Sequence, residues 1–147
     1  MALQDKVMDI SVKGMNLGHR FIRGITGGRV LSSVSGMPVV ELRTIGRKSG
    51  QQRSCLLTAP IHDENRTVVI ASKGGDDRHP DWYRNLVAEP NVEVVIEGTT
   101  RQMRARTASA AEKKELWPQV VAAYKSYASY QRRTDRDIPV VILEPRS

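Results

Sequence analysis

The chain has 147 residues, 39% apolar and 27% charged, with a formal net charge of +7. That suits one soluble domain with a buried core, while one Cys and three His exclude an internal disulfide and a structural zinc site. No apolar run approaches the roughly 20 residues that cross a bilayer, no secretion-type block opens the chain, and the excess of cations favours an anionic partner.

Residues 1–36 read as a helical and loop segment preceding a domain over 37–147. Met8, Val12, Met15, His19 and Ile22 recur at helical spacing, with Lys6, Lys13, Arg20 and Arg23 nearby. Such a basic amphipathic segment either packs on its own domain or lies on a membrane surface. From residue 38 the pattern is strand: "PVVELRTI", a cationic connection, "SCLLTAPI", a turn at "DENR", then "TVVIAS". "HPDWYRNLVAEP" predicts a helix bounded by Pro80 and Pro90. "NVEVVIEG" and "TTRQMRART" form a second hairpin around Gly98. Ser109 and Glu112 make a capping-box pattern for a helix that Pro118 bends or restarts, running to about Tyr130. "IPVVILEP" is a sixth strand. Local hairpins with inserted helices predict a mainly β, α+β fold: a six-stranded antiparallel barrel with flanking helices, closed to remove its edges.

Four segments could carry chemistry. "TIGRKSGQQR" places Arg47, Lys48 and Arg53 around Ser49, with Gly46 and Gly50 for close backbone approach. Turn amides, a hydroxyl and two kinds of cation can hold phosphate or carboxylate; the alternative is a solvated turn. "IASKGGDD" ends a strand in Lys73, Gly74 and Gly75, which admits a flat ligand or simply marks a loop exit. In "HPDWYRNL", Trp82 and Tyr83 either wall a planar ring or belong to the core, and Asn85 offers hydrogen bonds. Tyr124, Tyr127 and Tyr130 either shape an apolar pocket with one proton donor or pack as half-buried residues. Arg132, Arg133 and Arg136 read as a solvated face. Cys55, mid-strand among apolar neighbours, reads as a buried inert thiol. No catalytic triad, Walker loop or strand-linked GxGxxG occurs, so an enzyme of this sequence would borrow its chemistry from a cofactor.

Taken in order, "TIGRKSGQQR", "ASKGG", "HPDWYRNL", "EPNVEVVI" and "YQRRTDRDIPVVILEP" resemble the deazaflavin-dependent nitroreductase family of actinobacteria, the split β-barrel flavin/deazaflavin oxidoreductases. The likeness runs from about residue 38 to residue 145. It implies the anionic cofactor coenzyme F-420, an 8-hydroxy-5-deazaflavin with a phosphodiester and a glutamate tail. By that resemblance Arg47, Lys48, Ser49, Gly50 and Arg53 hold the phosphate and acidic tail. Ser54, Cys55, Leu56, Leu57 and Thr58 line the cofactor; Ile70, Ala71, Ser72, Lys73, Gly74 and Gly75 face its ring. Asp81, Trp82, Tyr83, Arg84 and Asn85 belong to the helix closing over it. Tyr124, Tyr127 and Tyr130 fall on the substrate side, and with Ser72 are the catalytic candidates. The implied activity is hydride transfer from reduced F-420 to a quinone, an enone or other activated alkene, or a nitroaromatic. The expected setting is cytoplasmic, with peripheral membrane contact through the N-terminal segment left open, as a monomer or dimer and without nucleic acid. Rival readings are a split-barrel relative that uses FMN or haem, and a basic single-strand nucleic-acid binder.

Overall fold

Alternating burial sets the sheet. In β2 (Met37–Ile45), Val40, Leu42 and Thr44 are buried while Glu41, Arg43 and Ile45 stand outward, the period-two signature of a strand with one wet face. The structure, a computed structural model, describes residues 33–34 and 36–146, so the amphipathic helix expected within 1–36 lies outside the described residues. All six expected strands are present as β2, β3 (Gln52–Thr58), β5 (Thr67–Ile70), β6 (Asn91–Ile96), β7 (Thr99–Thr107) and β8 (Val140–Pro145). Two short strands add to them, β1 (Ser33–Val34) and β4 (Ile61–His62). Every ladder is antiparallel, in the order β3-β2-β6-β7-β8-β5-β4, with β1 on the start of β2.

The sheet does not close into the barrel that the sequence predicts. β3 pairs with β2 and β4 pairs with β5, and among the described residues no ladder joins β3 to β5. The cause is local. Ala59 N–H still donates to Pro38 O at 3.0 Å, but Pro60 has no N–H with which to continue a ladder, and the chain changes partner there. Three peptide links reach about 10 Å at most, so the two edge strands meet at Ala59–Pro60 and diverge beyond it. The result is a curled, split-barrel-like sheet with a gap along the outer edge of β3.

β5 and β8 are buried on both faces, which is why "TVVI" and "PVVIL" read as continuous apolar runs. Val69, Ala71, Val141 and Leu143 join the inner core with Val40, Leu42, Leu57 and Met103. Val68, Ile70, Val140 and Ile142 face the other way, onto the helices. α1 (Asp81–Ala88) lies between the two expected prolines and buries Trp82 and Leu86, one turn apart. α2 (Ala110–Ala123) begins with the predicted capping box: Ser109 Oγ accepts from Glu112 N at 3.2 Å and Glu112 Oε1 accepts from Ser109 N at 2.9 Å. Pro118 sits inside α2 without ending it; the break comes at Tyr124, whose backbone is extended, and α3 (Ser126–Arg133) follows. Among the described residues no helix is long and apolar enough to cross a membrane.

Surface carboxylates give this fold an acid limit. Asp76 is held down to about 2, chiefly by hydrogen bonds from the side chain and backbone of Arg78. Glu93 is lowered by Gln102 and Arg43, and Glu112 by the Ser109 N–H and Arg106. A folded-state value below the ordinary one stabilises above the ordinary value and ceases to as pH falls through the folded value. From these groups, urea midpoints are expected to hold above about pH 4.5 and to fall steadily between there and about pH 2. A midpoint that rises over that window would contradict the assignment.

Candidate active site

The hairpin bend between β2 and β3 is tied at both sides. Gly46 N–H donates to Gln51 O and Gly50 N–H to Gly46 O, both at 2.8 Å, and Ser49 Oγ accepts from Gln51 N at 3.2 Å. Gly50 has φ +71, where only glycine is unstrained, and a Cβ on Gly46 would meet Ser49 Oγ at 2.6 Å. Closing this bend leaves the N–H groups of Lys48 and Ser49 without a partner among the described residues.

α1 supplies the facing wall. Asp81 and Asn85, four residues apart, share one side of the helix. Asn85, 5% exposed, accepts from Arg47 N at 3.2 Å and from Arg47 Nη1 at 2.9 Å, and donates to Thr44 Oγ1 at 3.3 Å. Arg47 Nη2 pairs with Asp81 Oδ1 at 3.3 Å. Arg47 thus joins bend to helix, and its charge is answered. Lys48 and Arg53 have no carboxylate partner among the described residues. Between these walls lies a cleft of about 290 Å³, lined by Thr44, Gly46, Arg47, Lys48, Ser49, Arg53, Ser54, Cys55, Asp81, Trp82 and Asn85. Replacing Asn85 with Ala strands the Arg47 N–H and the Thr44 hydroxyl, so it is expected to cost about 2 kcal/mol of unfolding free energy. Equilibrium urea unfolding checks this, and an unchanged midpoint would show that the network is not structural.

Cys55 borders the cleft as the inert thiol expected: burial, with Glu41 adding to it, pushes it up to about 12. Beyond it β3 presents a free edge. The bonds at the two ends of the β2–β3 ladder fix its alternation, so Arg53, Cys55 and Leu57 bond to β2. The backbone groups of Ser54, Leu56 and Thr58 then point away from β2, where no strand pairs with them among the described residues. The Leu57 side chain is in the inner core.

The other candidate residues are placed elsewhere. Ile70 is in the helix-side core and Ala71 in the inner core. Ser72 is fully buried, with an Oγ that has no hydrogen-bond partner among the described residues. Lys73, Gly74 and Gly75 form a 3-10 turn with φ of 45, 64 and 87, three successive left-handed residues. For Lys73 that conformation costs on the order of 1 kcal/mol. Tyr83 meets Trp82 edge-on and its hydroxyl lies 2.9 Å from Thr107 Oγ1; Arg84 is exposed. Tyr124, Tyr127 and Tyr130 pack edge to face with centroids 5.1–6.4 Å apart in or against the helix-side core, and none lines the cleft. Tyr127 reaches back to β3, its hydroxyl 3.1 Å from Thr58 Oγ1. Burial raises Tyr127 to about 12 against the opposing Thr58 bond, so it stays protonated at neutral pH. Thr44 is a lining residue that the sequence reading missed. Its signal was a polar residue at the end of the inward register Val40, Leu42, Thr44.

A curled antiparallel sheet with a cleft between a cationic bend and a helix defines the class: a split-barrel-like protein. The chain belongs to the F420H(2)-dependent quinone reductase family, whose description matches residues 17–145. The match thus begins well before residue 38, where the resemblance was expected to start. The chain is 36% identical over 142 residues to the F420H(2)-dependent quinone reductase Rv1261c of Mycobacterium tuberculosis strain H37Rv, with 93% of each covered. Among solved structures it is similar to an F420-H2 dependent reductase, FDR-A, at 40% identity and a TM-score of 0.66, covering 73% of this chain and 94% of that one. A second, described as a domain-swapped dimer, is 34% identical with a TM-score of 0.67, covering 86% and 99%. The haem storage protein HutZ of Vibrio cholerae shares the fold alone, at 16% identity and a TM-score of 0.54, over 74% of this chain and 82% of that one.

Proposed function

We propose that this chain binds coenzyme F-420 in the cleft beneath α1 and reduces quinones with it. The observation that carries this reading is the pairing of Lys48 and Arg53, cations without a counter-ion among the described residues, with the amides of Lys48 and Ser49, which have no partner among them either. Together they make a site for phosphate and carboxylate oxygens. The cleft volume of about 290 Å³ is at the lower end for a small-ligand site, and the free edge of β3 extends it. Backbone donors and acceptors of Ser54, Leu56 and Thr58 suit the polar rim of a heterocycle lying along that edge. Arg47, held by Asp81 and Asn85, keeps the bend and the helix at a fixed spacing. A haem would ask for an axial ligand. Of the histidines described, His62 is bonded to Thr67 and His79 to Arg136, and neither lines the cleft.

When bound, the reduced deazaflavin supplies a hydride, since it carries carbon where a flavin has nitrogen. The protein's part is orientation and proton handling. The protonated Tyr127 hydroxyl, which reaches β3 at Thr58, is the group proposed to relay a proton to an acceptor lying along that edge; neither it nor the fully buried Ser72 hydroxyl lines the cleft itself. Tyr124 and Tyr130 hold Tyr127 by edge contacts. Quinone is the favoured acceptor because the family description and the Rv1261c relative share that name; activated alkenes and nitroaromatics are secondary proposals. Mixing the protein with reduced F-420 and menadione tests the reading. Recovery of oxidised-cofactor absorbance faster than in a protein-free blank is expected, and a rate equal to the blank would overturn it.

A further inference from the structure

Arg136 does not belong to a solvated face, as its sequence context suggests. It is half-buried, and its guanidinium makes three contacts on one stretch of chain: Nη2 to Ser72 O at 2.8 Å, Nε to Asp76 O at 2.7 Å, and Nη1 to His79 Nδ1 at 3.0 Å. The two carbonyls flank the left-handed turn Lys73–Gly75. Three successive residues with positive φ cannot join a ladder and persist only where their surroundings fix them. The turn's backbone bonds are two, Gly75 N to Ser72 O at 2.9 Å and Asp76 N to Lys73 O at 3.1 Å, and Arg133 Nη1 donates to Gly74 O at 3.1 Å. The third Arg136 contact reaches the residue before Pro80, where α1 begins. Arg136 is itself anchored: Gln131 Nε2 donates to its carbonyl at 2.7 Å, and its N–H donates to Thr134 Oγ1 at 3.2 Å. Thr134 Oγ1 in turn donates to Asp77 at 2.8 Å.

We infer that Arg136 is a positioning residue: it sets the distance between the Ser72–Gly75 turn and the start of α1, the helix whose Asp81, Trp82 and Asn85 line the cleft. This rests on the proposed cofactor reading only for its functional consequence. A planar fork donor is needed, because one side chain serves three acceptors that lie in different directions. The contact with His79 has its own signature. A guanidinium only donates, so His79 Nδ1 accepts and its proton sits on Nε2. The groups facing His79 are Arg136 from the loop after α3, Arg84 from α1 and the Tyr83 ring at 4.9 Å, while Asp76 and Asp77 face Arg136. Burial first, and then the two guanidiniums, hold the imidazole below its ordinary value.

The experiment compares wild type with Arg136→Gln and Arg136→Lys by amide exchange, imidazole titration and cofactor calorimetry. In both variants the Gly75 and Asp76 amides are expected to exchange at least tenfold faster. The Lys113 amide, bonded to Ser109 O in the first turn of α2, serves as the internal control and is expected to be unchanged. In Arg136→Gln the His79 titration moves up toward about 6.5. The dissociation constant for oxidised F-420 rises about tenfold in both. Wild-type exchange at Gly75 and Asp76 in both variants, or acceleration that includes Lys113 equally, would overturn the inference. Failure of wild type to bind F-420 at all would sink the functional reading instead, while the exchange and His79 measurements still decide the role of Arg136.

Discussion

Replacing Lys48 and Arg53 together with alanine is expected to weaken F-420 binding by two to four orders of magnitude while leaving the fold intact. Hydrogen bonds to charged groups contribute about 1.5–3 kcal/mol each, and about 1.4 kcal/mol is a factor of ten. Each single variant should therefore lose roughly ten- to 150-fold, with coupling between such close neighbours. Both side chains are exposed and neither makes an ion pair among the described residues. Their removal therefore breaks no ion pair among the described residues, and unfolding midpoints should stay level. Arg47→Ala is expected to behave differently, because its guanidinium is bonded to Asn85 and Asp81; it should lose stability as well as affinity. Titration calorimetry at low and at physiological salt separates the cases, since exposed charges are screened over about 8 Å. A double variant that binds as tightly as wild type would remove the electrostatic account of the bend.

Trp82→Ala carries the largest expected stability effect. Trp82 is 6% exposed, packs with Leu86 in the inner core, and also borders the cleft. Truncating a buried Trp costs about 3–5 kcal/mol, because the surrounding side chains only partly refill the space. For a chain of this length that is a fall in Tm of roughly 10–15 °C. Trp82→Phe keeps an aromatic ring and is expected to lose less than half as much. The pair also divides two roles that the sequence could not separate. If Trp82→Phe binds F-420 like wild type, the residue acts as core; a binding loss beyond its stability loss marks it as a wall of the site. An unchanged urea midpoint for Trp82→Ala would contradict its place in the core.

What could be read in advance was what neighbours in sequence decide. The six strands follow from alternation and β-branched runs, α1 from its two prolines, and the start of α2 from Ser109 and Glu112. The cationic bend was legible because its cations, glycines and hydroxyl are contiguous. Barrel closure was not, because it depends on which partner the chain takes after Pro60. The placing of the tyrosines was not legible for a related reason: a three-residue spacing fits a pocket rim and a buried helix face alike, and the structure packs all three in or against the helix-side core. The pairs Arg47–Asn85 and Arg136–Ser72 are 38 and 64 residues apart, and nothing local announces either. Arg136 was therefore assigned to water by its basic neighbours.

The free edge of β3 has a consequence for handling the protein. Ser54, Leu56 and Thr58 offer a row of backbone donors and acceptors that no strand meets among the described residues, the template on which a strand from another molecule can add. A ligand seated along that row covers it. Ligand-free preparations are therefore expected to self-associate as concentration rises, with light scattering growing over hours of storage, and saturating F-420 should suppress it. Occupancy of the cleft would then govern shelf life as well as turnover.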